Sequence, residues 1–467
     1  MSAPHATARL LASHRPGSEP LRVLSASGQL GYGIPADSLA RGMVRQPHVL
    51  GADMGSIDPG PYYLATGEMA APEAMVARDL TLVLEAALSA GIPLVIGSAG
   101  TAGSSVQLQR VQQMIDAIAR EKGWSFRLVT IASDVPHECV WQAHTEGRLQ
   151  PIGPMPDLQL DELRQARLVA QCGVETFQQA FAQDPDVVLA GRACDTAIFA
   201  ALPIQMGHDP GLALHMAKII ECTSLCCEPG GRDAMLAELD LQGFTLESMA
   251  ADRHATPASV AAHALYEQAD PWTVDEPGGT LHLQHARYEA LDAHRTRVSG
   301  ARFVPRREPT LKIEGARILG ARAVLVAGIA DPGLIAVLDE VLDAVTAKVR
   351  TLLPGAWQVV PHVYGRGAVR PLPAAQQAGH EVGLVLEFMA EDAQAARTVA
   401  SVYKQNLLHH GYAGRLSTAG NLAFAFTPSE LDAQQACRFV VYHVMSQAPV
   451  DDIFQVKVHD IVGRPLH

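Results

Sequence analysis

The sequence predicts an α/β fold: a mainly parallel sheet with flanking helices, plus a smaller α+β C-terminal domain of the ferredoxin-like, split βαβ kind. Three observations predict it. Apolar runs of strand length, IPLVIG (92–97), FRLVTIA (126–132) and VVLAG (187–191), alternate with amphipathic helical stretches, which is how βαβ units read. Each run empties into a loop rich in Gly, Ser, Thr or Asp, the kind that binds ligands off the C-terminal ends of parallel strands. The last third follows a strand-helix-strand-strand-helix order instead.

In chain order, residues 1–20 read as a flexible leader without the long apolar core of a signal peptide. Leu21–Pro35 is a strand running into a glycine-rich loop, where Ser27 and Gly28 would let a phosphate or carboxylate approach backbone N–H groups. A plain tight turn fits that loop equally well. His48–Glu68 is a strand followed by a Gly/Pro-stiffened loop holding Asp53, Ser56 and Asp58. Two carboxylates five apart in such a loop suit a divalent-metal pair or a general base with its orienting partner, though Asp also caps turns. Ala74–Ala90 is an amphipathic helix stopped by Gly91. The next strand leads into Ser98, Gly100 and Thr101 at the start of helix Val106–Lys122, where an oxyanion is favoured and a tight turn is the alternative.

The stretch from Val187 to Gly231 concentrates the chemistry. Arg192, Cys194 and Asp195 follow its strand directly, and a helical segment carries His215, Lys218, Glu221, Cys222 and Cys226 at spacings of three and four. Charge between apolar segments needs a partner or a function. Arg192 is the expected anion clamp; Asp53 or Asp58 the base or metal ligand; Asp195 and Glu221 the orienting or proton-donating acids. Lys218 would partner an anion if its helix lines the rim. Cysteines on a core-facing helix are usually inert packing, and C-x3-C-C is not a zinc spacing.

Residues 242–307 have weak periodicity and read as a lid or excursion of a first domain spanning 21–307. The second domain, 308–467, has strands at 323–329, 359–364 and 382–388, long helices at 331–353 and 392–410, and a last strand at 454–460. The helix at 331 is entered through Asp331-Pro332 as cap and first position. Between the second helix and the chain end, Arg415 and Asn421 sit in a Gly/Thr/Ser loop flanked by apolar segments, which suits a homo-oligomer contact that brings both residues to the substrate site; docking of the loop on the chain's own first domain is the alternative.

The bulk properties bound the function. The chain has 467 residues, enough for two or three domains, and a formal charge of −13, which argues against nucleic acid or an anionic membrane as partner. Seven irregularly spaced cysteines point to a reducing compartment, and no apolar run reaches the ~18 residues of a membrane span, so a cytoplasmic protein is expected.

As a set, SGQLGYG, GADMGSIDPGPYYLATG, GSAGTAG, GRACDTAIFAALP, IIEC and HHGYAGRLSTAGNLAFAFTPSE resemble the acyclic terpene utilisation (AtuA-like) family over about residues 21–430. The family's Gly-His pair before Glu-Cys is replaced here by Ala217 and Lys218. The resemblance implies catabolism of branched or terpenoid carboxylic acids or their CoA thioesters. With the anion clamp and acid/base pair above, it leads to an enzyme of the hydratase or dehydratase type. Two alternatives remain: a non-catalytic subunit holding an acyl-CoA for a partner, and a nucleotide-dependent enzyme using the loop at Gly28–Gly33.

Overall fold

The structure, a computed structural model of the chain, describes residues 4–266, 268–371, 379–415 and 421–463. Two compact units divide it: Met1–Arg317 with Phe439–His467, and Ile318–Arg438. No helix among the described residues is long and apolar enough to cross a membrane.

The first unit is built on a ten-stranded sheet. Five strands at its centre are parallel, in the order Leu21–Ser27, Val49–Asp53, Leu94–Gly97, Val187–Ala190, Ser125–Ala132. On one side the sheet continues antiparallel through Met235–Leu239, Phe244–Ser248, Arg295–Ser299 and Arg287–Ala290; on the other, Gln455–Val462 pairs antiparallel with Ser125–Ala132. The sheet is therefore mixed rather than mainly parallel. Two of the antiparallel pairings are local hairpins, one closed by residues 240–243 and too short for any other connection; the others join strands far apart in the chain.

The central strands are buried on both faces, which explains their unbroken apolar runs. Val23, Val49, Val95, Val129 and Val188 enter one core; Leu24, Leu50, Leu94, Leu128 and Leu189 enter the other, as the two-residue period of a strand requires. Helices Glu73–Ala90 and Ser105–Lys122 cover the second face and end in left-handed Gly91 and Gly123. Helix Asp195–Gln205 lies under the first face. It is apolar all round, and every residue from Thr196 to Pro203 is buried. Its Phe199 and Ile198 press against Gly51 and Gly97, where a Cβ would overlap them.

Three segments differ from expectation. Residues 6–13, expected in a loose leader, form a helix whose Ala6 and Leu10 are buried; Ala6 N–H donates to Asp186 Oδ1 (2.8 Å) and Thr7 Oγ1 to Pro185 O (2.6 Å). Residues 242–307 supply three strands of the main sheet and a separate sheet of Thr273–Glu276, Gly279–His282 and Arg302–Pro305. The last strand belongs to the first unit, not to a C-terminal domain.

In the second unit, strands Trp357–Tyr364 and Val382–Ala390 and the 321–329 part of Thr310–Ile329 form an antiparallel sheet, with the 430–438 part of Glu430–Ser446 next in order. Val382, Leu384, Leu386, Phe388 and Ala390 alternate into a core completed by helices Leu338–Leu352 and Ala393–Leu408. Asp331 caps as expected, accepting from Leu334 N–H at 2.9 Å, but the helix it opens breaks at Val337 (φ −111°) and resumes at Leu338.

Candidate functional site

A cavity of about 290 Å³ opens in the first unit where two parallel strands end. Strand Leu21–Ser27 finishes in Ser27 and Gly28, and strand Val49–Asp53 in Asp53; all three line the cavity. Gly28 is required by proximity: a Cβ there would lie 2.5 Å from Glu221 O and 3.1 Å from the Cα of Cys222. The loop after Asp53 adds Gly55, Ser56 and Asp58, with Ser56 Oγ donating to Asp58 Oδ2 at 2.5 Å. Asp195 enters from the first turn of helix Asp195–Gln205, where the helix dipole favours a negative charge. The structure thus brings together Ser27, Gly28, Asp53, Ser56, Asp58 and Asp195 from three separate stretches.

Other expected residues stand behind this wall. Arg192 is 3% exposed and does not line the cavity. Its Nε and Nη2 donate to Glu314 at 2.8 and 3.3 Å, Nη1 donates to Ser98 Oγ at 3.2 Å, and Asp195 Oδ1 lies 3.8 Å from Nη1. The expected anion clamp is already occupied by a buried carboxylate. Burial works against its charge, but Glu314 and Asp195 outweigh that and hold it protonated. Ser98 is buried against Arg192, so it does not serve the cavity either. Gly100 and Thr101 form a turn: Gly100 O accepts from Gln107 Nε2 and Thr101 Oγ1 from Ala70 N–H. Neither Gly100 nor Thr101 lines the cavity.

Lys218 and Glu221 are both buried and pair with each other at 2.6 Å, one turn apart at the end of helix Pro210–Ile220. Burial lifts Glu221 to about 8, Asp195 adds to the rise, and Lys218 only partly offsets it. Burial opposes the charge on Lys218, but Glu221 and Asp195 keep it protonated. Asp53 is raised well above the usual carboxylate range, by burial first and Asp195 second, against the pull of Arg192. Glu276, from strand Thr273–Glu276, is pushed up to about 7 by burial, while Thr196 Oγ1 donates to it at 2.9 Å. Burial, with the nearby charge of Asp195, thus raises the proton affinity of Asp53, Glu221 and Glu276 alike.

Several cavity residues carry no signal that sequence reasoning used. Arg232, one position past the Val187–Gly231 stretch, lines the cavity and makes no ion pair among the described residues. Its guanidinium lies 5.8 Å from the centre of the Tyr32 ring and its Nη2 is 3.5 Å from Gln29 O. The preceding Pro229-Gly230-Gly231 loop was the available sign. Cys222, Thr223, Leu225 and Tyr266 complete that side. Among the described residues, the one group of three metal-ligand atoms within 4.8 Å of one another is His14, Glu19 and His48, none of which lines the cavity; Asp53 and Asp58 are not brought into such a group.

Arg415 and Asn421 lie in the second unit and are engaged there. Arg415 Nη1 donates to His410 O (2.8 Å) and Nη2 to Leu408 O (3.3 Å), and Asn421 Nδ2 donates to Leu408 O (3.2 Å), so both satisfy carbonyls at the end of helix Ala393–Leu408. Residues 416–420 between them lie outside the described residues.

No curated protein and no solved structure matches the chain. The family model described as Acyclic terpene utilisation family protein AtuA matches residues 63–434, and with most of its length covered the chain belongs to that family.

Proposed function

We propose that this protein is an enzyme acting on a small branched or terpenoid carboxylic acid or its CoA thioester, and that it adds or removes water. Family membership supports the substrate class. The reaction type rests on one observation: Asp53 and Asp195 face a single cavity, and Asp53 has its proton affinity raised by burial. In the dehydration direction Asp195 takes the proton from the carbon beside the carbonyl. Asp53 gives its proton to the departing hydroxyl, a carbon–carbon double bond forms, and water leaves. Hydration is the reverse. Arg232 at the cavity wall binds the carboxylate, or a CoA phosphate when the substrate is a thioester.

A protein that only holds an acyl group has no use for two carboxylates converging on one cavity, one of them with its proton affinity raised by burial, so the enzymatic reading is preferred over the binding-subunit one. The test is turnover by the purified protein on a panel of 3-hydroxy acids, their CoA thioesters and the matching unsaturated compounds. Asp53→Asn and Asp195→Asn should each lower kcat by about 100-fold or more while the fold persists. Tight binding of a panel member with no turnover would remove the enzymatic reading.

In the same reading the second unit is a ferredoxin-like domain, supported by its strand order, and Arg415 and Asn421 belong to a homo-oligomer contact. Light scattering that shows a monomer at micromolar concentration would sink the assembly proposal.

A further inference from the structure

We infer that His14, Glu19 and His48 form a site for a zinc-class transition-metal ion, with His208 beside it as a fourth ligand. These residues come from four places in the first unit. His14 closes helix Ala6–Ser13, Glu19 precedes strand Leu21–Ser27, His48 precedes strand Val49–Asp53, and His208 follows helix Asp195–Gln205. A ligand atom from each of His14, Glu19 and His48 lies within 4.8 Å of the other two. The His14 ring centre is 4.9 Å from that of His48 and 6.0 Å from that of His208.

The second observation is independent of that clustering. His14 is 4% exposed and His208 is 2% exposed, and neither ring nitrogen of either residue has a hydrogen-bond partner among the described residues. Buried imidazoles nearly always have both nitrogens engaged. Each neutral ring carries one lone pair and one N–H, so the two neighbouring rings hold two buried lone pairs that no hydrogen bond takes, which points to a ligand that accepts lone pairs.

A cation already bridges part of this group. Arg22 Nη1 donates to Glu19 Oε2 at 3.0 Å, and Arg22 Nη2 lies 3.0 Å from His48 Nε2. The backbone N–H of Arg22 donates to His48 Nδ1 at 3.0 Å, which puts the single ring proton on Nε2, facing the guanidinium. Two donors then oppose each other. Metal binding at Nε2 moves the ring proton to Nδ1, breaks the contacts from Arg22 to this ring, and leaves the guanidinium with Gln46 O, to which Nε donates at 2.7 Å. The donor set is nitrogen-rich with one carboxylate, which suits Zn²⁺ or Co²⁺ and not Ca²⁺ or Mg²⁺. The ion would tie the N-terminal helix to the sheet; the hydration chemistry proposed above does not depend on it.

The experiment uses full-length, untagged protein stripped with EDTA, titrated with Zn²⁺ by calorimetry and with Co²⁺ by visible absorption. One ion per chain is expected, with a cobalt spectrum of low-coordinate type and no thiolate charge-transfer band. His14→Ala and His48→Ala should weaken zinc binding by more than the roughly 10–100-fold that follows loss of a ligand's supporting partner. Glu19→Gln, at a half-exposed side chain that does not threaten folding, should weaken it as well. Arg22→Gln should tighten it about tenfold, because a positive charge a few ångström from the ion is gone. Absence of stoichiometric binding overturns the inference. So does binding that survives the His14→Ala/His48→Ala double variant, a thiolate band that assigns the ion to cysteines, or an Arg22→Gln protein that binds no more tightly than wild type.

Discussion

Glu314→Gln removes one charge from a buried ion pair while leaving its volume in place. Glu314 has no exposed side-chain surface and Arg192 has 4%, with donor–acceptor distances of 2.8 and 3.3 Å. Breaking a buried pair by neutralising one partner costs about 3–5 kcal/mol, because the remaining charge stays desolvated. Two features place this case at the lower end. Asp195 is still 3.8 Å from Arg192, and Lys312, the other partner of Glu314, has 28% of its side chain exposed and can turn to water. A loss of about 3 kcal/mol lowers the urea midpoint by about 1 M at a slope of about 3 kcal/mol/M. Three of the four tryptophans, Trp124, Trp141 and Trp272, lie in the first unit and only Trp357 in the second, so tryptophan fluorescence reports mainly on the relevant transition. The Arg192→Met/Glu314→Leu double variant, which leaves no buried charge at either position, should recover most of the loss. A single variant within 1 kcal/mol of wild type, or a double variant no more stable than the single, would refute the reasoning.

Three further outcomes are expected. Glu221 has its proton affinity raised to about 8 in the folded protein, so the stability it contributes is full below the unfolded carboxylate value and lost as pH rises through 8. Urea midpoints of wild type should therefore fall between about pH 4.5 and 8 and level off above, and Glu221→Gln should flatten that decline; parallel curves would contradict it. Gly28→Ala forces a methyl against the backbone of Glu221 and Cys222, destabilising by about 1–3 kcal/mol and lowering turnover; a fully stable, fully active variant would show that the wall can yield. His215 is fully buried and held down to about 3 by burial, so its neutral form adds stability that is complete above the unfolded value near 6.5 and is lost as pH falls toward 3. His215→Phe should resist acid unfolding better than wild type, and a circular-dichroism acid titration with equal midpoints would count against this.

Much of the fold was legible because its signals are local. Leu94–Gly97 and Val187–Ala190 read as buried strands from four or five apolar residues in a row, and Gly91 marked a helix end that depends on backbone conformation alone. Part of the cavity was legible for a related reason. In a parallel array all strands end on the same side, so Ser27 and Asp53, which close neighbouring strands, meet there whatever the rest of the chain does. Asp195 joins them because its helix starts directly after the strand at 187–190.

Tertiary structure alone decided which arginine faces the cavity. Arg192 and Arg232 both sit in turns next to glycine, and nothing near Arg192 reveals that Glu314, 122 residues away, claims its guanidinium. Glu276 reads as part of a loop in a Pro/Gly-rich stretch and becomes a buried acid only because its strand is laid against Thr196. The sheet's antiparallel flank and the return of Gln455–Val462 to Ser125–Ala132 are pairings across long separations, which a strand's own residues do not encode. Periodicity reports which face of an element is buried; it carries no information about which distant charge is buried with it, and that choice determines which side chains remain free for chemistry.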